Sequence, residues 1–133
     1  MDSALQSKAV RIRLVVLDVD GVLTDGSIWT GADGEAVKRF STRDGLGIKL
    51  LQSAGIPVAL LTGRLSMQTA SRATELGIQT VLQGKTFKGT AFRQLAEQYG
   101  LRVDQVAYMG DDVPDIAPLK IAGLAACPAD AAN

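Results

Sequence analysis

The chain has 133 residues, 47% of them hydrophobic, with 14 lysines plus arginines balanced by 14 aspartates plus glutamates, one cysteine and no histidine. These are the proportions of one domain around a single core, and the zero net charge without a basic stripe excludes a nucleic-acid backbone as the expected partner. The lone Cys127 excludes an internal disulfide or a zinc cluster, no apolar run approaches membrane-spanning length, and the first ten residues lack a signal-peptide core, so a reducing cytoplasm is the expected location.

Ile12 to Leu17 is a short apolar run and reads as a first buried strand. It runs straight into Asp18-Val19-Asp20-Gly21-Val22-Leu23-Thr24-Asp25-Gly26. Carboxylates two apart alternate sides on a continuing strand, but a chain that leaves the sheet at Gly21 can bend both into one pocket, where a hard cation would bridge them. Two acids beside a glycine are also common turn chemistry. Ser27 to Thr30 and Glu35 to Phe40, around Gly31-Ala32-Asp33-Gly34, read as a β-hairpin flap beside the end of this strand.

Gly45 to Ala54 reads as a helix with Leu46, Leu50 and Leu51 on one face. Val58 to Leu61 is a second strand, followed by Thr62-Gly63-Arg64 near the start of a helix over Ser66 to Leu76. A hydroxyl and free backbone N–H groups there suit a phosphate oxygen, although Thr62 or Ser66 is equally at home as an ordinary helix cap. Ile78 to Leu82 is a third strand. It leads through Gln83-Gly84-Lys85-Thr86-Phe87-Lys88 into a helix over Thr86 to Tyr99, and either Lys85 or Lys88 could meet a phosphate as a point charge. Gly55, Gly77 and Gly100 are helix stop signals.

Val106 to Met109 is a fourth strand, and Gly110-Asp111-Asp112-Val113-Pro114-Asp115 after it carries three carboxylates within five residues. A helix N-terminus accommodates one or two acids. Leu124 to Cys127 is a fifth strand. Strands alternating with helices imply a doubly wound, Rossmann-like α/β domain, a parallel sheet with right-handed crossovers and helices on both faces. All five acids then fall at the carboxyl edge of the sheet, where ligands bind and where a divalent cation would relieve their repulsion. Without histidine, proton transfer falls to carboxylates, lysine or tyrosine.

Asp18-x-Asp20-Gly21-Val22-Leu23-Thr24, Thr62-Gly63-Arg64, Lys88 and Gly110-Asp111-Asp112-x-x-Asp115 resemble, in order, the four motifs of the haloacid dehalogenase-like superfamily. Asp25-Gly26, the flap, Phe40-Ser41-Thr42-Arg43-Asp44-Gly45-Leu46-Gly47-Ile48 and the Gln83-Gly84 approach to Lys88 are similar to its capless 3-deoxy-D-manno-octulosonate 8-phosphate phosphatases. The resemblance implies a magnesium-dependent phosphatase acting on a phosphorylated sugar acid through a phospho-aspartate. Asp18 would be the nucleophile and Asp20 the acid and base. Magnesium would be held by the Asp18 side chain, the Asp20 main-chain carbonyl and Asp111, with Asp112 and Asp115 orienting waters or Lys88. Thr62, Gly63, Arg64 and Lys88 would hold the phosphoryl group, Arg43 would meet the sugar acid's carboxylate, and Trp29 would close a neighbour's pocket in a homotetramer. Family chains normally continue past Ala129-Asp130-Ala131 into a further strand, helix and tail, so residues 1–133 read as one domain that is short at its C-terminus.

The related alternative substrate is a nonulosonate 9-phosphate of the sialic-acid type. From other classes come a catalytically idle regulatory relative and a receiver-like phospho-switch. A receiver needs an aspartate at the end of its third strand, where this chain reads Val81-Leu82-Gln83-Gly84.

Overall fold

The computed structural model describes residues 2–132. Helix α1 (Ser3–Ala9), capped by the Asp2 carboxylate, precedes β1 (Leu14–Leu17). A hairpin of β2 (Trp29–Gly31) and β3 (Gly34–Val37) follows, and then α2 (Thr42–Ser53). The remainder alternates: β4 (Val58–Leu61), α3 (Met67–Leu76), β5 (Thr80–Leu82), α4 (Lys88–Gln98), β6 (Val106–Met109), α5 (Ile116–Ile121) and β7 (Leu124–Ala126). Five strands form one parallel sheet in the order β5-β4-β1-β6-β7. Between β1 and β4 the chain inserts only the hairpin and α2.

Period-two alternation divides the core. Leu14, Val16, Ala59, Leu61, Val106 and Tyr108 face α4, which contributes Ala91, Phe92, Leu95 and Ala96. Leu17, Val58 and Leu60 face the opposite way, with Ile48 of α2 and Ala73 and Leu76 of α3. Strands buried on both faces explain why each read as a continuous apolar run. Helix α3 shows how the boundaries are set: the Ser66 hydroxyl accepts from the Thr69 amide, and Gly77 at φ 71° ends the helix in the left-handed conformation.

Helix α2 departs from expectation. It begins at Thr42, capped by Ser41, and buries Gly45 and Ile48; of the predicted leucine face only Leu51 packs against the core. Leu46 and Leu50 are both 62% exposed. The reason lies at Gly45, where an added Cβ would stand 2.6 Å from the Arg72 guanidinium of α3. That close approach turns the Gly45 side of the helix inward.

Chain direction makes β1 the switch point. From it the sheet grows outward through β4 and β5, then returns on the other side through β6 and β7. A crevice therefore opens at the carboxyl ends of β1 and its neighbours, the position at which open α/β sheets bind ligands.

Candidate active site

After Asp18 the chain folds back at once, with the Val22 and Leu23 amides donating to the Val19 carbonyl. The Thr24 hydroxyl accepts from the Gly21 and Gly26 amides at 3.2 and 3.1 Å. This tight loop takes Asp18 and Asp20 off the strand and into one cleft. The cleft holds about 510 Å³ and is lined by Asp18, Asp20, Thr62, Gly63, Arg64, Lys85, Lys88, Asp111, Asp112 and Asp115 among others. A larger hollow of about 600 Å³, between Val22 and Asp44, contains none of these groups and is not where the charged chemistry lies.

At the floor, the buried Lys88 ammonium donates to Asp18 Oδ1 at 3.0 Å and to Asp115 Oδ1 at 2.8 Å. Asp115 is saturated. It also accepts from the Tyr108 hydroxyl and from the Asp111 and Asp112 amides at 3.0 and 3.3 Å. Burial opposes its charge, but Lys88 and Tyr108 prevail and hold its carboxyl below the ordinary range. Burial pushes Asp18 up from 3.8 to about 7 despite the Lys88 charge, and it raises Asp111 as well. Asp18 and Asp111 bring a carboxylate oxygen each to within 4.8 Å of one another.

One oxygen from each of Asp18, Asp111 and Asp115 lies within 4.8 Å of the others. Two carboxylates so close require either a shared proton or a cation, and the pair with unspent oxygens is Asp18 and Asp111. This donor set fits a hard divalent ion. Asp115 has both oxygens engaged, one of them by Lys88. The Asp20 side chain lies outside the cluster. It pairs with Lys38 at Oδ1 and faces Arg64 Nε at 3.8 Å from Oδ2; the metal role that the resemblance implied for Asp20 concerned its main-chain carbonyl, not this side chain.

Gly21 supplies the room for this pair, since a Cβ there would collide with the Asp111 carboxylate, and its φ of +90° disfavours any side chain. Gly21→Ala is therefore expected to weaken magnesium binding about ten- to a hundredfold and to cost about 1–3 kcal/mol of stability. Titrating the ion against the thermal midpoint measures both.

Of the remaining expected residues, Thr62 is buried at the cleft wall, with the Lys85 amide donating to its carbonyl at 3.1 Å, and Gly63 and Arg64 line the opening. Lys85 also lines the cleft but is exposed, whereas Lys88 reaches the acids. Asp112 lies at the exposed rim. Trp29, 58% exposed on the flap, and the exposed Arg43 do not line the cleft formed by this chain. Three contributors had not been singled out: Tyr108, Lys38 and Glu35. Strand alternation could have placed Tyr108 on the α4 face, but nothing local announces the reach of Lys38 across to Asp20.

A profile for haloacid dehalogenase-like hydrolases matches residues 46–123. The 3-deoxy-D-manno-octulosonate 8-phosphate phosphatase KdsC of Haemophilus influenzae is 46% identical over 127 residues, 96% of this chain and 71% of that protein. This chain belongs to the 3-deoxy-D-manno-octulosonate 8-phosphate phosphatase family of haloacid dehalogenase-like hydrolases. Family membership displaces the receiver reading, and β5 indeed ends without a carboxylate at Leu82-Gln83-Gly84.

Solved structures from the family superpose closely. A cobalt-bound form of the Haemophilus influenzae phosphatase has a TM-score of 0.91 at 46% identity, over 94% of this chain and 73% of that one. The Moraxella catarrhalis phosphatase, in complex with a magnesium ion, a phosphate ion and a KDO molecule, reaches 0.94 at 38% identity, over 100% of this chain and 76% of that one. The family's haloacid dehalogenase-like α/β fold is thus the fold of this chain. Among the described residues no helix is long and apolar enough to cross a membrane.

Proposed function

We propose that this chain is a magnesium-dependent phosphatase that hydrolyses 3-deoxy-D-manno-octulosonate 8-phosphate through a phospho-aspartate on Asp18. The observation that carries the reading is the buried Asp18 carboxylate, 3.0 Å from Lys88 and within 4.8 Å of an Asp111 oxygen, at the carboxyl edge of the sheet. The names and bound ligands of the relatives support the substrate.

Asp18 attacks phosphorus while Asp20 passes a proton to the departing sugar oxygen; Asp20 then takes a proton from the water that cleaves the phospho-aspartate. An anionic nucleophile must approach an anionic phosphate, and Lys88 supplies fixed positive charge where that repulsion is greatest. A magnesium ion, when bound by Asp18, the Asp20 main-chain carbonyl and Asp111, offsets more of the phosphate's charge. Thr62, the Gly63 amide and Arg64 hold the transferring group. Asp115 fixes Lys88, and Asp112 orients water at the rim.

The same reading makes the enzyme a cytoplasmic homotetramer. The flap's exposed Ile28, Trp29 and Val37 would pack on a neighbour, with Trp29 and Arg43 serving substrate closure from there.

Phosphate release tests the assignment, using the eight-carbon sugar-acid phosphate, a nonulosonate 9-phosphate and an aryl phosphate, each with and without chelator. Selective, chelator-sensitive turnover of the first is expected. Preference for the nine-carbon acid would move the substrate within the same chemistry, and no turnover of any would favour an idle relative.

A further inference from the structure

The flap is tied to the catalytic loop through two charges, Lys38 and Glu35, that the mechanism above leaves unused. Lys38, just beyond β3, pairs with Asp20 Oδ1 and with Glu35 Oε1 at 2.7 Å, and its side chain is 1% exposed. Glu35 is anchored in turn. Its Oε2 accepts from the Ser66 hydroxyl at the cap of α3, and Gln68 Nε2 donates to the Glu35 and Ala36 carbonyls at 3.4 and 3.2 Å. Arg64 completes the ring, with Nε 3.8 Å from Asp20 Oδ2 and Nη2 3.9 Å from Glu35 Oε1. Two cations thus alternate with two carboxylates. A lysine this deeply covered is not a solvated surface charge, because burial without partners would expel it.

We infer that Lys38 is a positioning residue for Asp20, which lines the cleft: by holding Oδ1 it leaves Oδ2, 3.8 Å from Arg64 Nε, to serve the leaving group, and Glu35 and Ser66 keep Lys38 there. The inference rests on the role proposed above for Asp20. In the step concerned, the Asp18 oxygen bonds to phosphorus, the bond from phosphorus to the sugar oxygen breaks, and the proton of Asp20 goes to that oxygen. A misdirected Asp20 should therefore slow alkyl phosphates, whose alkoxide leaving groups need the proton. It should scarcely affect a nitrophenyl phosphate, whose phenolate leaves unaided. A lysine that only secures the fold would affect both alike.

The experiment compares kcat for the sugar-acid phosphate and for nitrophenyl phosphate in wild type, Lys38→Met, Lys38→Arg and Glu35→Gln. For Lys38→Met the expected result is a fall of roughly a hundredfold on the sugar phosphate, little change on nitrophenyl phosphate, and partial recovery in Lys38→Arg. Glu35→Gln keeps the Lys38 side chain but weakens its anchor, so it tests the arrangement if Lys38→Met does not fold, and the same substrate split at smaller size is expected of it. Equal losses on both substrates, or no loss on either, would overturn the inference. If wild type refuses the sugar-acid phosphate, the substrate assignment fails separately, and the comparison runs on whichever alkyl phosphate wild type hydrolyses.

Discussion

Replacing Asp18 by asparagine is expected to lower turnover at least about ten-thousandfold while raising the melting temperature of the metal-free protein at pH 8. The loss follows from chemistry, since an amide of the same shape cannot form the acyl phosphate. The gain follows from burial. Asp18 is 6% exposed, and its carboxyl titrates near 7 in the fold against an ordinary 3.8. The folded state thus binds more protons than the unfolded chain between those values, so the wild type loses stability as pH rises through that window and carries the whole cost above it. Asparagine carries none. Magnesium should raise the wild-type midpoint markedly and the variant's much less, because the ion's charge offsets a repulsion that the variant has already lost. Thermal melts in chelator and in magnesium, beside phosphate release, check each arm, and retained turnover would remove Asp18 as the nucleophile.

Lys88→Met is expected to cost about 3–5 kcal/mol of stability and to lower turnover about a thousandfold. Lys88 is 5% exposed, and burial alone would push its ammonium toward neutrality. Asp115 and Asp18 outweigh that and raise its pKa instead, so the charge is present throughout the neutral range. Methionine fills similar space but leaves two buried carboxylates facing each other beside Asp111. The penalty should therefore grow with pH, since acid lets those carboxylates take up protons. Urea unfolding at pH 5 and pH 8 measures the difference, and equal penalties at the two would mean that packing rather than charge carries the loss.

The strands and the acidic loops were legible because their signals are local. A parallel strand covered on both faces must be apolar throughout, and Val58–Leu61 and Val106–Met109 were bounded to the residue. Short helices were not legible. Helix α1 has no buried residue and therefore no apolar periodicity to read, and α5 carries Pro118, which is compatible with the first turn of a helix but reads as a breaker. Leu46 and Leu50 of α2 misled, though Leu51 does pack on the core, because apolar spacing reports amphipathicity, whereas the inward face was decided by the absence of a side chain at Gly45. Asp18, Asp111 and Asp115 were found because carboxylates converging on one sheet edge need explaining wherever they occur. Lys38 and Tyr108 were not, because a flap lysine and a core tyrosine look ordinary until the partner on another element is known.

The Lys88 ion pairs join residues 70 and 27 positions apart, on α4, at the end of β1 and in the turn after β6. No short stretch of chain holds all three groups, and each contact closes a long loop whose entropy is recovered only when the central strands are already side by side. Regained phosphatase activity during refolding should consequently lag behind helix signals and coincide with completion of the sheet. The enzyme's own turnover would serve as a clock for the last step of its folding.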